Sequence, residues 1–418
     1  MRIGIINIGD ELLGGKILNT NQFELSKLLS PLGHDVAFAW VVGDDAAAIG
    51  RALDSAADPE GPSAANLLIL TGGLGPTLDD LTRQAVAAWL DRPLEESPEA
   101  LAWLGDFLGR PESALAQGQR NQASVPRGTR PLRNPAGTAC GFAFDVRGIP
   151  AFVFPGVPAE LDAMVRLHVL PELAGDSVLL ERKAWTWGWS ESAQREAFAS
   201  IRLPDGFRFS SLPQERGVHL GLSVLCAPAE RGRRSAELEA SWAALLAAIP
   251  AEALVDAGGL PLTGTVVALL RAKGATVSVA ESCTGGGLGF LITETPGSSD
   301  IFRQGYLTYS NRAKTDLLGV DPAILASQGA VSEATALAMA RGCLERSGAD
   351  YAVAITGVAG PDGGTPEKPV GTVWIGVASR DRTHARLVKL RGDRNSIRWR
   401  SAYAALNQLR LLITGQLQ

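Results

Sequence analysis

Histidine is scarce in this chain: only four occur in 418 residues, at positions 34, 168, 219 and 384. They stand singly, none beside a serine or carboxylate motif, so nothing local signals a Ser-His-Asp triad, although triads are assembled in space. Cysteine is equally sparse. The four thiols, Cys140, Cys226, Cys283 and Cys343, lie far apart and form no Cys-x-x-Cys pair, and they read as reduced thiols of a cytosolic protein. Positive charge is not in excess: 39 Lys and Arg against 44 Asp and Glu leave a net charge of −5. That balance gives no electrostatic reason to bind along a nucleic acid or an acidic membrane. No apolar run approaches the roughly 18 residues of a membrane span. The N-terminus lacks a basic region followed by a long apolar core, so a cytoplasmic location is expected. Internal repeats and low-complexity tracts are also missing. A chain of 418 residues exceeds one ordinary core, and two or three domains are expected.

What is present is most informative at Val279-Ala-Glu-Ser-Cys-Thr-Gly-Gly-Gly287. Ala275 to Ala280 alternates like a strand and Leu288 to Thr295 reads as the apolar body of a helix, so Ser282 falls at a strand-to-helix turn. Free N–H groups and the dipole at a helix start stabilise an oxyanion or phosphate. Helix capping by Ser282 and Thr284 is the competing reading. About 30 residues on, a second strand, Tyr306 to Tyr309, opens into a helix carrying Lys314. A serine becomes a useful nucleophile when a neighbouring lysine or tyrosine of depressed pKa takes its proton. Ser282, Tyr309 and Lys314 are therefore the candidate catalytic set. Cys283, beside the serine, reads as a small buried filler.

Two further loops complete a candidate pocket. The strand Tyr351 to Thr356 runs into the glycine-rich loop Gly357 to Gly364, where a ligand can approach the backbone closely. After a strand over Pro369 to Ala378, a helix start brings Arg391, Arg394 and Arg398 together, with Arg394 and Arg398 an i,i+4 pair. Guanidinium groups so placed suit a phosphate.

These segments, with Gly297 to Ser299, Leu317 to Val320, Gly329 to Glu333 and Lys368 to Trp374, make the stretch from about Leu262 to Ile413 resemble the CinA C-terminal domain, the nicotinamide mononucleotide amidohydrolase family. The resemblance implies hydrolysis of the nicotinamide carboxamide to nicotinate mononucleotide and ammonia, in pyridine nucleotide salvage, with no cofactor. It carries a serine nucleophile onto Ser282, a tyrosine onto Tyr309 and a lysine onto Lys314. The expected substrate-binding set is Glu281, Thr284, Gly285, Gly286, Asn311, Thr356, Gly357, Gly360, Arg394 and Arg398. From the residues themselves, Ser282 attacks, Lys314 or Tyr309 moves the proton, N–H groups around Thr284 to Gly286 form the oxyanion hole, and Arg394 and Arg398 take the phosphate.

The first 170 or so residues alternate strand and helix: Arg2 to Ile8, Asn21 to Ser30, Asp35 to Val42, Ala46 to Ala57 and Asn66 to Thr71. That order predicts an α/β domain with a parallel sheet. Its strand ends carry glycine with acid, at Gly9-Asp-Glu11, Gly43-Asp-Asp45 and the run Gly72 to Asp80. Phosphate or nucleotide contacts are expected from Gly9, Asn21, Gly72, Gly73, Gly75 and Thr77. A divalent cation such as Mg, Co or Mn, bound through a diphosphate, would fall to Asp10, Glu11, Asp79 and Asp80. Helix capping competes for Asp44, Asp45, Asp79 and Asp80. Gly9 to Asn21, Thr71 to Asp80, Arg120 to Pro126, Asn134 to Phe142 and Pro155 to Glu160 resemble the molybdopterin-binding-like domain at the front of CinA proteins. That resemblance implies a metal-dependent ADP-ribose pyrophosphatase, and alternatively a non-catalytic module for a molybdopterin-like ligand or a competence-related partner.

Between these units, Lys183 to Trp189, Ser190 to Ile201, Phe207 to Ser211, Val218 to Cys226 and Ser235 to Ile249 predict a small α+β domain. Trp185, Trp187 and Trp189 raise the possibility of a base-stacking platform. Alternate aromatics in a strand more often mark one packed face, and that reading is taken. The expected division is thus a multidomain α/β chain of residues 1–172, 176–250 and 258–418, with linkers near Gly175 and over Pro250 to Pro261. Family resemblance implies a homodimer.

Overall fold

A computed structural model describes residues 1–58, 65–77, 79–173, 177–214 and 216–417. The expected linker at Gly175 lies outside the described residues. The chain divides into two compact units, Met1–Leu179 with Leu225–Arg231, and Leu180–Val224 with Gly232–Gln418.

The first unit is built on a six-stranded sheet in the order Asp35–Val42, Arg2–Ile8, Leu67–Thr71, Ile149–Phe154, Gly141–Val146, Arg130–Leu132. The first four strands run parallel, and the last two add an antiparallel edge that strand-helix alternation did not foretell. The central strands are buried on both faces. Ile6, Ile8, Leu68 and Leu70 pack beneath the helices Ala46–Ala56 and Thr82–Trp89. Ile3, Ile5, Leu67 and Ile69 face Thr20–Leu29 and Pro158–His168. This two-sided burial is why these strands read as continuous apolar runs.

In the second unit a five-stranded sheet runs Phe302–Leu307, Val277–Glu281, Tyr351–Gly357, Thr372–Ser379, Thr383–Lys389, the first three parallel and the rest antiparallel. The valines and isoleucines of one face pack on Leu262–Lys273 and on Arg394–Thr414, a helix buried on most sides. Alanines line the other face, beneath Glu333–Ser347. Small residues are required there: a Cβ at Gly376 would lie 2.3 Å from the Ala336 carbonyl oxygen. Glu333–Ser347, Pro322–Gln328 and the edge strand Thr383–Lys389 were not foreseen.

The segment expected as a middle domain forms a four-stranded sheet, Phe207–Gln214, Gly217–Cys226, Val178–Thr186, Leu254–Asp256, with the helices Glu191–Phe198 and Arg231–Ala247. It packs with the C-terminal residues. Buried Arg410, 2% exposed, donates to the carbonyl oxygens of Leu254 and Glu252, and Trp187 rests on Tyr403. The three tryptophans do not share one fate: Trp185 is buried against His219, whereas Trp187 and Trp189 stay half-exposed because the strand ends at Thr186. Among the described residues no helix is long and apolar enough to cross a membrane.

Candidate functional site

The strand Val277–Glu281 lies between Phe302–Leu307 and Tyr351–Gly357, so the turn after it is held from both sides. Ser282 donates its N–H to the Ile355 carbonyl, and Thr308 donates its N–H to the Glu281 carbonyl. Gly285 and Gly286, at φ 59° and 98°, take left-handed backbone that a β-substituted residue adopts only at a cost. The chain thereby turns into the helix Gly287–Thr293 within a few residues of the serine.

Lys314 comes to this turn from the helix Asn311–Leu318, which Ser310 caps by accepting the Ala313 N–H. Its Nζ lies 3.0 Å from Ser282 Oγ and 2.7 Å from the Thr308 carbonyl oxygen. Lys314 is 1% exposed, and among the described residues no carboxylate pairs with it. Burial of an unpaired ammonium disfavours its charge, which lowers the pKa to about 8. A lysine so tuned exchanges protons near neutral pH. Tyr309 is placed differently. It is 65% exposed, and its hydroxyl accepts from Arg394 at 3.3 Å. Of the two residues considered as base, Lys314 is the one in contact with the serine. Burial also pushes the Cys283 thiol up to about 11, which keeps it protonated and inert.

The expected oxyanion hole needs correction. Glu281 is 1% exposed, and its carboxylate accepts the N–H groups of Gly286, Leu288 and Gly289 at 3.0, 3.1 and 2.9 Å. The Gly285 N–H is spent on the Ser282 carbonyl. Donors that serve the helix start cannot also serve a substrate. The N–H groups of Cys283 and Thr284 make no backbone–backbone hydrogen bond among the described residues. Glu281 is thus saturated by its own loop. Sequence reasoning missed this capping role, for which a buried acid just before the glycines was the available signal.

Arg398 donates to the Thr284 carbonyl at 2.8 Å, clamping the turn. Arg394 donates to the Gly360 carbonyl as well as to Tyr309, so Tyr309, Gly360 and Arg394 converge. Thr356 is buried and donates to the Ala330 carbonyl at 2.6 Å. A Cβ at neighbouring Gly357 would strike the strand Thr372–Ser379. Asn311 is exposed.

The first unit holds a second cleft, of about 580 Å³. Gly9, Glu11, Gly72, Gly73, Gly75, Asp79 and Asp80 line it, all expected, together with Asp44 and Glu160, which sequence reasoning did not assign. Asp80 shapes the loop: its oxygens accept the N–H groups of Gly75 and Thr77, each at 2.8 Å, while the Thr77 hydroxyl reaches both Asp79 and Asp80. Asn21 donates to Thr71 and to the Gly156 carbonyl, beside the cleft. Asp10 and Asp44 accept each other's backbone N–H. Burial raises the Asp44 pKa, and Asp10, Glu11 and Asp79 add like charge. Among the described residues, no three His, Cys, Asp or Glu side chains converge as a metal-ligating group. The carboxylates present do not fit a cation held by protein ligands alone.

Residues 260–413 match the family model of the CinA C-terminal domain, and residues 4–175 match that of a probable molybdopterin binding domain. The chain is 41% identical to a putative competence-damage inducible protein of Symbiobacterium thermophilum, covering 99% of each chain. It is 40% identical to a CinA-like protein of Chlorobaculum tepidum, covering 98% of each. A crystal structure of the competence/damage inducible protein CihA from Agrobacterium tumefaciens is 42% identical, covering 36% of this chain and 93% of that one, with a TM-score of 0.36. The chain belongs to the CinA family.

Proposed function

We propose that this CinA-family chain hydrolyses the carboxamide of nicotinamide mononucleotide in its second unit, giving nicotinate mononucleotide and ammonia. One observation carries the reading: a buried lysine with no carboxylate partner among the described residues, its pKa lowered to about 8, in contact with a serine hydroxyl. A phosphate cradle alone needs no such lysine.

Ser282 Oγ attacks the carboxamide carbon while its proton passes to Lys314 Nζ. The oxyanion that forms is met by the N–H groups of Cys283 and Thr284, donors already fixed by the turn. Collapse breaks the C–N bond as Lys314 returns the proton to the departing nitrogen, which leaves as ammonia. Water then attacks the seryl ester, Lys314 takes its proton, and Ser282 departs with a proton restored. Arg394 and the loop after Gly357 bind the phosphate, while Arg398 holds the Thr284 carbonyl. Ammonia release by Ser282→Ala tests the scheme; turnover near wild type would overturn it.

For the first unit we propose cleavage of ADP-ribose to AMP and ribose 5-phosphate. Support comes from the glycine loop and the carboxylates Glu11, Asp79 and Asp80 on one cleft. Any cation would arrive with the diphosphate, and no step is assigned to it. Incubating the full chain with ADP-ribose and Mg, Mn or Co discriminates between activities: AMP formation supports cleavage, and silence with all three supports the non-catalytic binding module.

A further inference from the structure

The second unit contains a cavity of about 990 Å³ that none of Ser282, Lys314, Arg394 or Arg398 lines. It lies at the upper end of the range of small-molecule sites, about 300–1,000 Å³. Trp187 and Trp189, left over when the strand ended at Thr186, supply aromatic walls. Among the described residues, Arg386, Arg391 and Arg400 supply three guanidinium groups, against one lining carboxylate, Glu252. The floor is a face of the helix Arg394–Thr414, with Ser396, Arg400, Ala404 and Gln408 spaced four apart.

Gln408 distinguishes this cavity from a packing fault. It is 4% exposed, and its Oε1 is buried with no hydrogen-bond partner among the described residues. Neighbouring Asn407 is engaged, accepting from Arg410 Nε at 3.0 Å. An orphaned buried acceptor costs free energy unless a donor meets it. Such an acceptor, aromatic walls and surplus positive charge together describe an anionic ligand with a flat ring bearing an N–H donor.

We propose that this cavity is a nucleotide-binding site separate from the catalytic one. The base lies against Trp187 and Trp189, a turn of the Gln408 amide brings its buried Oε1 to the cavity to accept from an exocyclic amine, and Arg386, Arg391 and Arg400 hold the phosphate. Adenine carries that amine, and unsubstituted purine has a C–H in its place and no other ring donor.

Calorimetric titration of the full chain with AMP and with purine riboside monophosphate tests the assignment. Wild type is expected to bind AMP about tenfold more tightly than purine riboside monophosphate, because the latter leaves the acceptor unpaired. Arg386→Glu, an exposed position, is expected to weaken AMP about tenfold or more. Gln408→Leu removes an acceptor that has no partner among the described residues, so it keeps the fold and abolishes the preference. Arg394→Ala, at the catalytic site, leaves AMP binding as in wild type. No AMP binding at millimolar concentration overturns the proposal. So does an affinity that is unchanged in Arg386→Glu, or lost only in Arg394→Ala.

Discussion

Lys314 Nζ rests 3.0 Å from Ser282 Oγ across 32 residues of sequence, with a third contact atom, the Thr308 carbonyl oxygen, at 2.7 Å from the same nitrogen. A buried ammonium with no carboxylate partner among the described residues is costly, and folds retain such groups mainly where the cost serves a reaction.

Lys314→Met is expected to lower kcat/KM for ammonia release by about 100- to 10,000-fold, the range for a lost general base. The same substitution replaces a destabilised cation with an apolar chain of similar length. Its thermal midpoint at pH 7 should rise above that of wild type. A fall in both activity and midpoint would assign Lys314 to the fold instead.

The rate should follow the protonation of Lys314. With a pKa lowered to about 8, kcat/KM is expected to climb about tenfold per pH unit below pH 8 and to level off above it. Stability shares the sign. The folded pKa of about 8 lies below the ordinary 10.5, so the penalty is complete below pH 8 and fades as pH rises toward 10.5. A pH-rate profile flat from 6 to 9 would rule this assignment out.

Tyr309→Phe should change kcat by no more than about threefold, since an exposed side chain away from the serine contributes little. Its hydroxyl meets Arg394, so a modest rise in KM is the expected trace. Steady-state kinetics beside Lys314→Met separates the two residues.

Glu281→Gln leaves one acceptor oxygen where two now take three backbone N–H groups. Urea unfolding should show a loss of about 2 kcal/mol, typical of hydrogen bonds to a charged group. Turnover should fall with little change in KM, because the displaced turn carries Ser282. Wild-type turnover in a destabilised variant would mean that the turn holds its shape without the carboxylate.

Asp80→Asn breaks the paired acceptance of the Gly75 and Thr77 N–H groups. We expect a stability loss of about 1–3 kcal/mol by urea unfolding and weaker ADP-ribose binding by calorimetry. Unchanged values for both would show that the loop is held by its other contacts.

Much of the architecture was legible locally. The strands Arg2–Ile8 and Asp35–Val42 have the bounds that their apolar patterning indicates, and the turn at Ser282 sits between strand and helix as the glycines require. The helix Glu333–Ser347 was not legible, because its buried face is built from alanine and other small residues that carry little periodic signal. In the first cleft Asp44 looked like a helix cap, and its neighbour Asp45 does that work, accepting the Ala48 N–H. Only the parallel sheet brings Asp44 beside Asp10.

By itself the sequence determined the family, the alternation of strands and helices, and the turn that presents Ser282, since each follows from residue order and local backbone preference. Tertiary structure alone decided that Lys314 and not Tyr309 meets the serine, that Glu281 spends the N–H groups expected for substrate, and that Trp187 and Trp189 border a cavity. Those outcomes depend on which side chains distant segments bring within about 3 Å, and on which charges lose their water when they arrive.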